Sequence, residues 1–131
     1  MKKMGILNSD ISRVLSYMRH TDTLCIGDCG LPCPDAVELI DISLKQGAPS
    51  FIETLSVVLD DMKVERAFVA SEIREKNPLI LQQLESLLHG IQIDFVDHAV
   101  LKKQTESCKA VVRTGEITPF ANIILQSACL F

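Results

Sequence analysis

A chain of 131 residues and 14.5 kDa fits one hydrophobic core, because domains usually hold ~100–150 residues, so a single domain is expected. The net charge is −4, and the 13 basic residues form no run and no interleaved aromatic series, which argues against nucleic acid as a partner. A hydrophobic fraction of 47% and a mean hydropathy of +0.24, with no tryptophan and one tyrosine, give an aliphatic core with apolar surface left over, so a homo-oligomer is expected.

The N-terminus runs Met1-Lys2-Lys3-Met4-Gly5-Ile6-Leu7, but the polar run Asn8-Ser9-Asp10 cuts off any apolar region of an export signal. No apolar stretch nears the ~20 residues of a membrane span, so a cytoplasmic protein with no membrane partner is expected. From Ser9 to Arg19, Ile11, Val14, Leu15 and Met18 form the stripe of an amphipathic helix, with Asn8 or Ser9 available as its cap. Thr23 to Gly27 reads as a buried strand that ends at Asp28 and the turn-rich Gly30-Leu31-Pro32-Cys33-Pro34. Cys25, Cys29 and Cys33 recur at a helical spacing that would align thiolates for a soft metal, but Pro32 and Pro34 forbid that helix. Together with Cys108 and Cys129 they make an odd set of five without a CxxC pair, so they read as apolar fillers in a reducing compartment.

Val37 to Ile42 reads as a second strand, and Ser50 to Asp60 as a helix with Phe51, Leu55, Val58 and Leu59 on one face. Val64 to Ala70 is a further strand. Asn77-Pro78 starts a helix, with the asparagine as cap and proline first, that runs through Leu81, Leu84 and Leu88 to Gly90. Ile91 to Val96 alternates like a strand and ends at Asp97-His98. A short helix follows through Lys102 to Glu106, then strands near Lys109 to Val112 and near Asn122 to Gln126. Strands alternating with helices predict an α/β fold over residues 1–131: a single-domain three-layer α/β/α sandwich around a mostly parallel sheet.

In open α/β sheets ligands bind outside the carboxyl ends of the strands, which singles out Asp28 and His98, with His20 just before the first strand. Each also has an ordinary structural reading: a turn aspartate for Asp28, a surface or hydrogen-bonded side chain for either histidine. His89, beside Gly90, suits a helix C-terminus. His98 and Lys102 are spaced i, i+4 and share a helix face, although Lys102 alone would read as a solvated lysine. Asn122 offers a donor and an acceptor to a polyhydroxylated ligand. GxGxxG, P-loop, HExxH and Gly-x-Ser-x-Gly motifs are absent, and the spacing of His20, Asp28 and His98 is not that of a metal site, so no metal or cofactor is expected.

The segments GILNSDIS (Gly5 to Ser12), HTDT (His20 to Thr23), DCGLPCP (Asp28 to Pro34), Ile40-Asp41, PSF (Pro49 to Phe51), Glu72-Ile73, Asn77-Pro78, His98, RTGE (Arg113 to Glu116), TPFANIIL (Thr118 to Leu125) and Phe131 occur in one order. In that order and spacing the chain resembles the D-ribose pyranase family, which is related to the L-fucose mutarotases. The resemblance implies a ribose pyranase-like α/β subunit in a homodecamer of two stacked pentameric rings, with ribose sites between neighbouring subunits. It implies metal-free interconversion of the pyranose and furanose forms of free D-ribose, with His20 as the catalytic proton donor. Asp28, His98, Lys102, Phe120, Ala121 and Asn122 would bind the sugar.

Ring opening removes the anomeric proton and delivers one to the ring oxygen, work that suits histidine, which as a residue type titrates near neutrality. The chain departs from the family pattern twice. Arg19 stands where a left-handed glycine usually precedes the His20 motif, a conformation that costs a non-glycine residue ~1–2 kcal/mol. Phe120 stands where a tyrosine is usual, which removes a hydroxyl. The alternatives are a mutarotase for L-fucose or another monosaccharide, and a non-catalytic sugar-binding protein on the same fold.

Overall fold

A computed structural model describes residues 1–131. In chain order it contains α1 (Ser9–Tyr17), β1 (Thr23–Gly27), β2 (Glu38–Asp41), α2 (Phe51–Asp61), β3 (Val64–Ala70), α3 (Ile73–Lys76), α4 (Pro78–Leu87), β4 (Gln92–Val96), α5 (His98–Gln104), a 3₁₀ turn (Thr105–Ser107), β5 (Ala110–Arg113) and β6 (Ile123–Ser127). The six strands form one sheet in the order β2-β5-β1-β6-β3-β4.

Local chemistry sets the helix starts. The Asn8 side chain accepts from the Ile11 amide at 2.9 Å and begins α1, while the Ser50 hydroxyl accepts from Glu53 at 3.1 Å and begins α2. α1 ends two residues short of Arg19, because Met18 turns to extended backbone at φ −64 and ψ 143. Pro78 occupies the first turn of α4 as its missing N–H allows. Asn77, expected to cap that helix, makes no side-chain cap bond; its amide is used elsewhere. The four-residue α3 was not anticipated, being too short for a hydrophobic period to declare it.

β1, β2, β3, β4 and β5 run parallel, and β6 runs antiparallel between β1 and β3. The connection from Arg113 to Ile123 is shorter than the dozen or so residues a parallel crossover needs, so the last strand must return against its neighbours. Strand alternation then sorts the core into two layers. Leu24, Ile26, Ala67, Val69, Val112, Ile123 and Leu125 join Val14, Phe51, Leu55 and Leu84 on one face, whereas Cys25, Ala70, Val111 and Ile124 join Leu101 of α5 on the other. The first cluster holds 20 buried residues and the second 7, so α5 covers its side of the sheet only partly.

Surface carboxylates add a pH-dependent term. Hydrogen bonds from Ser43 hold Asp41 below the usual carboxylate range, the His98 amide does the same for Glu72, Gln126 and His20 for Glu65, and Arg66 for Asp94. A carboxylate whose folded pKa lies below its unfolded value of ~3.9–4.3 contributes stability above that value and loses it as pH falls through the folded one. The thermal midpoint is therefore expected to hold from about pH 7 to pH 5 and to drop below about pH 4. A scanning-calorimetry series that stayed flat to pH 3 would contradict this.

Candidate active site

β1 delivers Asp28 to the carboxyl edge of the sheet, where its neighbours hold it closely. Asp28 Oδ1 accepts from the Gly30 amide at 2.9 Å and Oδ2 from Asn122 Nδ2 at 3.0 Å, while the Asp28 amide donates to Asn122 Oδ1 at 2.9 Å. Asn122 is 1% exposed, so its side chain orients the carboxylate from within the protein. Gly27 permits this approach: a Cβ there would lie 2.6 Å from Leu31 Cδ2 and 3.0 Å from Asn122 Oδ1.

The RTGE segment clamps the same loop. Thr114 donates to the Gly27 carbonyl through both its amide, at 3.0 Å, and its hydroxyl, at 2.8 Å. Arg113 Nε donates to the Cys29 carbonyl at 2.8 Å and pairs with Asp41 at 2.9 Å. Glu116, 7% exposed, accepts from the amides of Phe51, Ile117 and Thr118, tying this loop to the start of α2. A pocket of about 220 Å³ lined by Cys29, Lys45, Arg113 and Gly115 opens on this edge.

His98 opens α5 directly after β4, and its amide donates to both oxygens of Glu72, at 3.0 and 3.1 Å. The glutamate, not Asp97 in the cap position, satisfies this helix start. The rings of His98 and Phe120 meet edge to face, with centroids 5.0 Å apart and planes at 86°. His98 Nδ1 is buried beside this contact without a hydrogen-bond partner. Phe120 adopts φ 58, a left-handed conformation that costs a non-glycine residue ~1–2 kcal/mol.

Asn77 holds that conformation in place. Its buried amide donates to Thr118 Oγ1 at 2.9 Å and to the Pro119 carbonyl at 2.8 Å. Asn77→Ala is expected to lose ~1–3 kcal/mol in urea unfolding, since it removes two hydrogen bonds made by a buried side chain, and to weaken the nuclear Overhauser contact between the His98 and Phe120 rings. Unchanged values of both would show that the loop holds itself.

Ala121, fully buried, links Phe120 to Asn122, and Lys102 lies exposed one turn along α5 on the face of His98. Asp28, His98, Phe120, Ala121, Asn122 and Lys102 thus gather at one end of the sheet or on the helix that leaves it. His20 does not join them. It precedes β1, at the opposite end of strands some 17 Å long at ~3.3 Å per residue.

There His20 Nε2 lies 3.1 Å from Glu65 Oε2, and Gln126 Nε2 donates to Glu65 Oε1 at 2.7 Å. The strain expected at Arg19 is absent, because the left-handed residue of this turn is Thr21, at φ 70. The Arg19 amide instead donates to Asp22 Oδ2 at 2.8 Å, and the Thr21 amide to the Ser127 carbonyl at 3.0 Å. No group of three His, Cys, Asp or Glu side chains is arranged to hold a metal ion. Cys25 and Cys108 are buried, and desolvation pushes both thiols upward, which keeps them protonated and unreactive.

What the arrangement offers chemically is one oriented carboxylate at one end of the sheet, where an imidazole packed on an aromatic face also lies, and an imidazole paired with a carboxylate at the other. The supporting residues Glu65, Glu72, Asn77 and Thr114 went unrecognised in the sequence. Glu72, Asn77 and Thr114 lie within segments of the family resemblance, but no spacing announces partners so distant along the chain.

The chain is similar to known proteins along its whole length. The chain is 48% identical, over 131 residues covering all of both sequences, to a D-ribose pyranase of Clostridium perfringens. It superposes on the structure of Bacillus subtilis RbsD complexed with D-ribose with a TM-score of 0.98 at 46% identity, each chain covered completely. The fucose mutarotase of Streptococcus pneumoniae in complex with L-fucose shares the fold, with a TM-score of 0.82, 20% identity and 95% of each chain covered. Residues 1–130 match the model of one family, and the chain belongs to it: the RbsD / FucU transport protein family.

Proposed function

We propose that the protein is a D-ribose pyranase, an intramolecular isomerase that interconverts the β-pyranose and β-furanose forms of free D-ribose. The observation that carries this reading is the end-to-end similarity, at 46% identity, to RbsD complexed with D-ribose. Opening the pyranose takes a proton from the anomeric hydroxyl and gives one to the ring oxygen; closure through another hydroxyl yields the furanose. Only protons move, so the chemistry asks for no redox or group-transfer cofactor. His20 serves as proton donor. Asp28 and His98 bind sugar hydroxyls, Lys102 adds a cation, and Phe120, Ala121 and Asn122 line the site.

A site using both His20 and Asp28 draws them from two chains, since one chain holds them at opposite ends of its sheet. Such head-to-tail contacts close into rings, which supports a homo-oligomer with sites between subunits, and a decamer of stacked pentamers is the form proposed. Exposed Leu39, Leu44, Val57 and Ile117 supply apolar surface for those contacts. The proposed location is the cytoplasm; no helix is long and apolar enough to cross a membrane.

One observation favours a second reading. Phe120 offers the site no hydroxyl, which would weaken a hydrogen bond to ribose and suit a less polar monosaccharide such as L-fucose. Magnetisation-exchange NMR decides between them. Faster pyranose–furanose exchange of D-ribose is expected on adding protein; no change in exchange at high protein concentration would refute the catalytic reading. Acceleration of L-fucose anomer exchange alone would replace ribose with the second substrate.

A further inference from the structure

We propose that Glu65, itself fixed by Gln126, positions His20 for proton transfer by accepting from Nε2–H, which leaves Nδ1 as the nitrogen that faces the sugar. This rests on the assignment of His20 above and extends it to residues outside the strand-end cluster. Three features of the fold carry it.

The first is the geometry of the pair. Glu65 Oε2 lies 3.1 Å from His20 Nε2, and the other carboxylate oxygen accepts from Gln126 Nε2 at 2.7 Å. A carboxylate bonded on both oxygens has little freedom to turn, so the imidazole ring against it is held as well. Which imidazole nitrogen is free is set by the hydrogen bond that the other makes. With Nε2–H given to Glu65, Nδ1 can take a proton in one half of ring opening and closing and return it in the other, leaving the protein unchanged overall. While Nδ1 is protonated, the carboxylate balances the charge of the imidazolium.

The second is the backbone under Glu65. Val64 pairs with Ser127 and Arg66 with Gln126, so β3 spends one extra residue, Glu65, between two consecutive partners on β6. This is a β-bulge, a device that re-aims a side chain and is frequent beside active sites. It turns Glu65 toward the turn before β1, next to Gln126 on the neighbouring strand.

The third is the turn that carries His20. Thr21 is β-branched yet sits at φ 70, where such residues are rare, and the Thr21 amide is tied to Ser127 while Asp22 and Arg19 bond each other. Strained backbone of this kind persists where the surroundings over-determine it and clusters at working sites. Hydrogen bonds from Gln126 and His20 also hold the Glu65 carboxyl below its ordinary range, so it is an anion throughout the neutral region.

The test uses the full-length protein with two readouts: D-ribose exchange kinetics, and the His20 ring tautomer from long-range ¹H–¹⁵N correlation spectra. Glu65→Ala is expected to lower kcat ~10–100-fold with KM within about twofold, as for loss of a residue that orients a reacting group. The ring nitrogens of His20 should shift from the Nε2–H pattern toward a tautomer mixture. Glu65→Gln, which keeps an acceptor without the charge, should restore the Nε2–H pattern and part of the rate. Gln126→Leu, which leaves Glu65 in place and frees one oxygen, should move both readouts in the same direction by less, and it serves if Glu65→Ala does not assemble. An unchanged kcat in these variants, or a lowered kcat with the wild-type tautomer pattern in Glu65→Ala or Gln126→Leu, would overturn the proposal. Failure of the underlying assignment looks different: His20→Ala would keep full activity whatever the tautomer in the wild type.

Discussion

Replacing His20 with alanine is expected to slow pyranose–furanose exchange of D-ribose ~10²–10⁴-fold, the range that a positioned acid–base group contributes. The substitution should leave the fold intact. The His20 side chain is 52% exposed and its hydrogen bond is to Glu65, itself at the surface, so solvent screens the pair and little folding stability rests on it. Loss of rate with an unchanged thermal midpoint and an unchanged sedimentation profile therefore isolates chemistry from folding. Full activity in His20→Ala would show that the proton passes through another group, with His98 the next to test.

The second large effect separates one chain from two. His20→Ala and His98→Ala proteins are each expected to be strongly impaired, and then to recover activity when dissociated together and reassembled. If each site takes His20 from one subunit and His98 from its neighbour, random mixing at equal amounts gives about a quarter of sites both histidines. Exchange rates near that fraction of the wild type are the expected result, measured against each variant reassembled alone. Were both histidines of a site supplied by one chain, the mixture would stay at the level of its parents, because no chain in it has both. His98→Ala suits the experiment because Glu72 bonds the backbone amide of residue 98, so α5 keeps its start without the ring.

Much of the fold was legible along the chain. The stripe through Ile11 and Val14, the caps at Asn8 and Ser50, Pro78 at the head of α4 and the apolar run of β1 each express a local preference, and local preferences operate over a few residues. Element ends differed by one or two residues, as at α1, where Met18 leaves the helix before Arg19. The four residues of α3 escaped because they span a single turn. Within the site, Asp28 and His98 could be singled out as strand-end residues, and Phe120, Ala121 and Asn122 through the family pattern.

What could not be read was division of labour. Asn77 has the sequence of a helix cap and the structural role of a brace for the Phe120 loop, because Thr118 and Pro119 are brought to it only by the sheet. Asn122 looked like a ligand for sugar hydroxyls, yet most of its amide is engaged by Asp28, 94 residues earlier. Arg19 promised backbone strain that the chain places at Thr21 instead, since the helix unwinds at Met18 before reaching it.

By itself, then, the sequence determined the α/β class, the mostly parallel sheet, the helix starts and the family, because each follows from period, capping chemistry or ordered motifs along the chain. Tertiary structure decided that β6 runs antiparallel, that the core is thick on one face and thin on the other, and that Asp28 is held by Asn122. It also put His20 with Glu65 at the far end of the sheet from Asp28 and His98. The reason is physical: these are outcomes of strand order and register, which bring together residues that no local interaction relates.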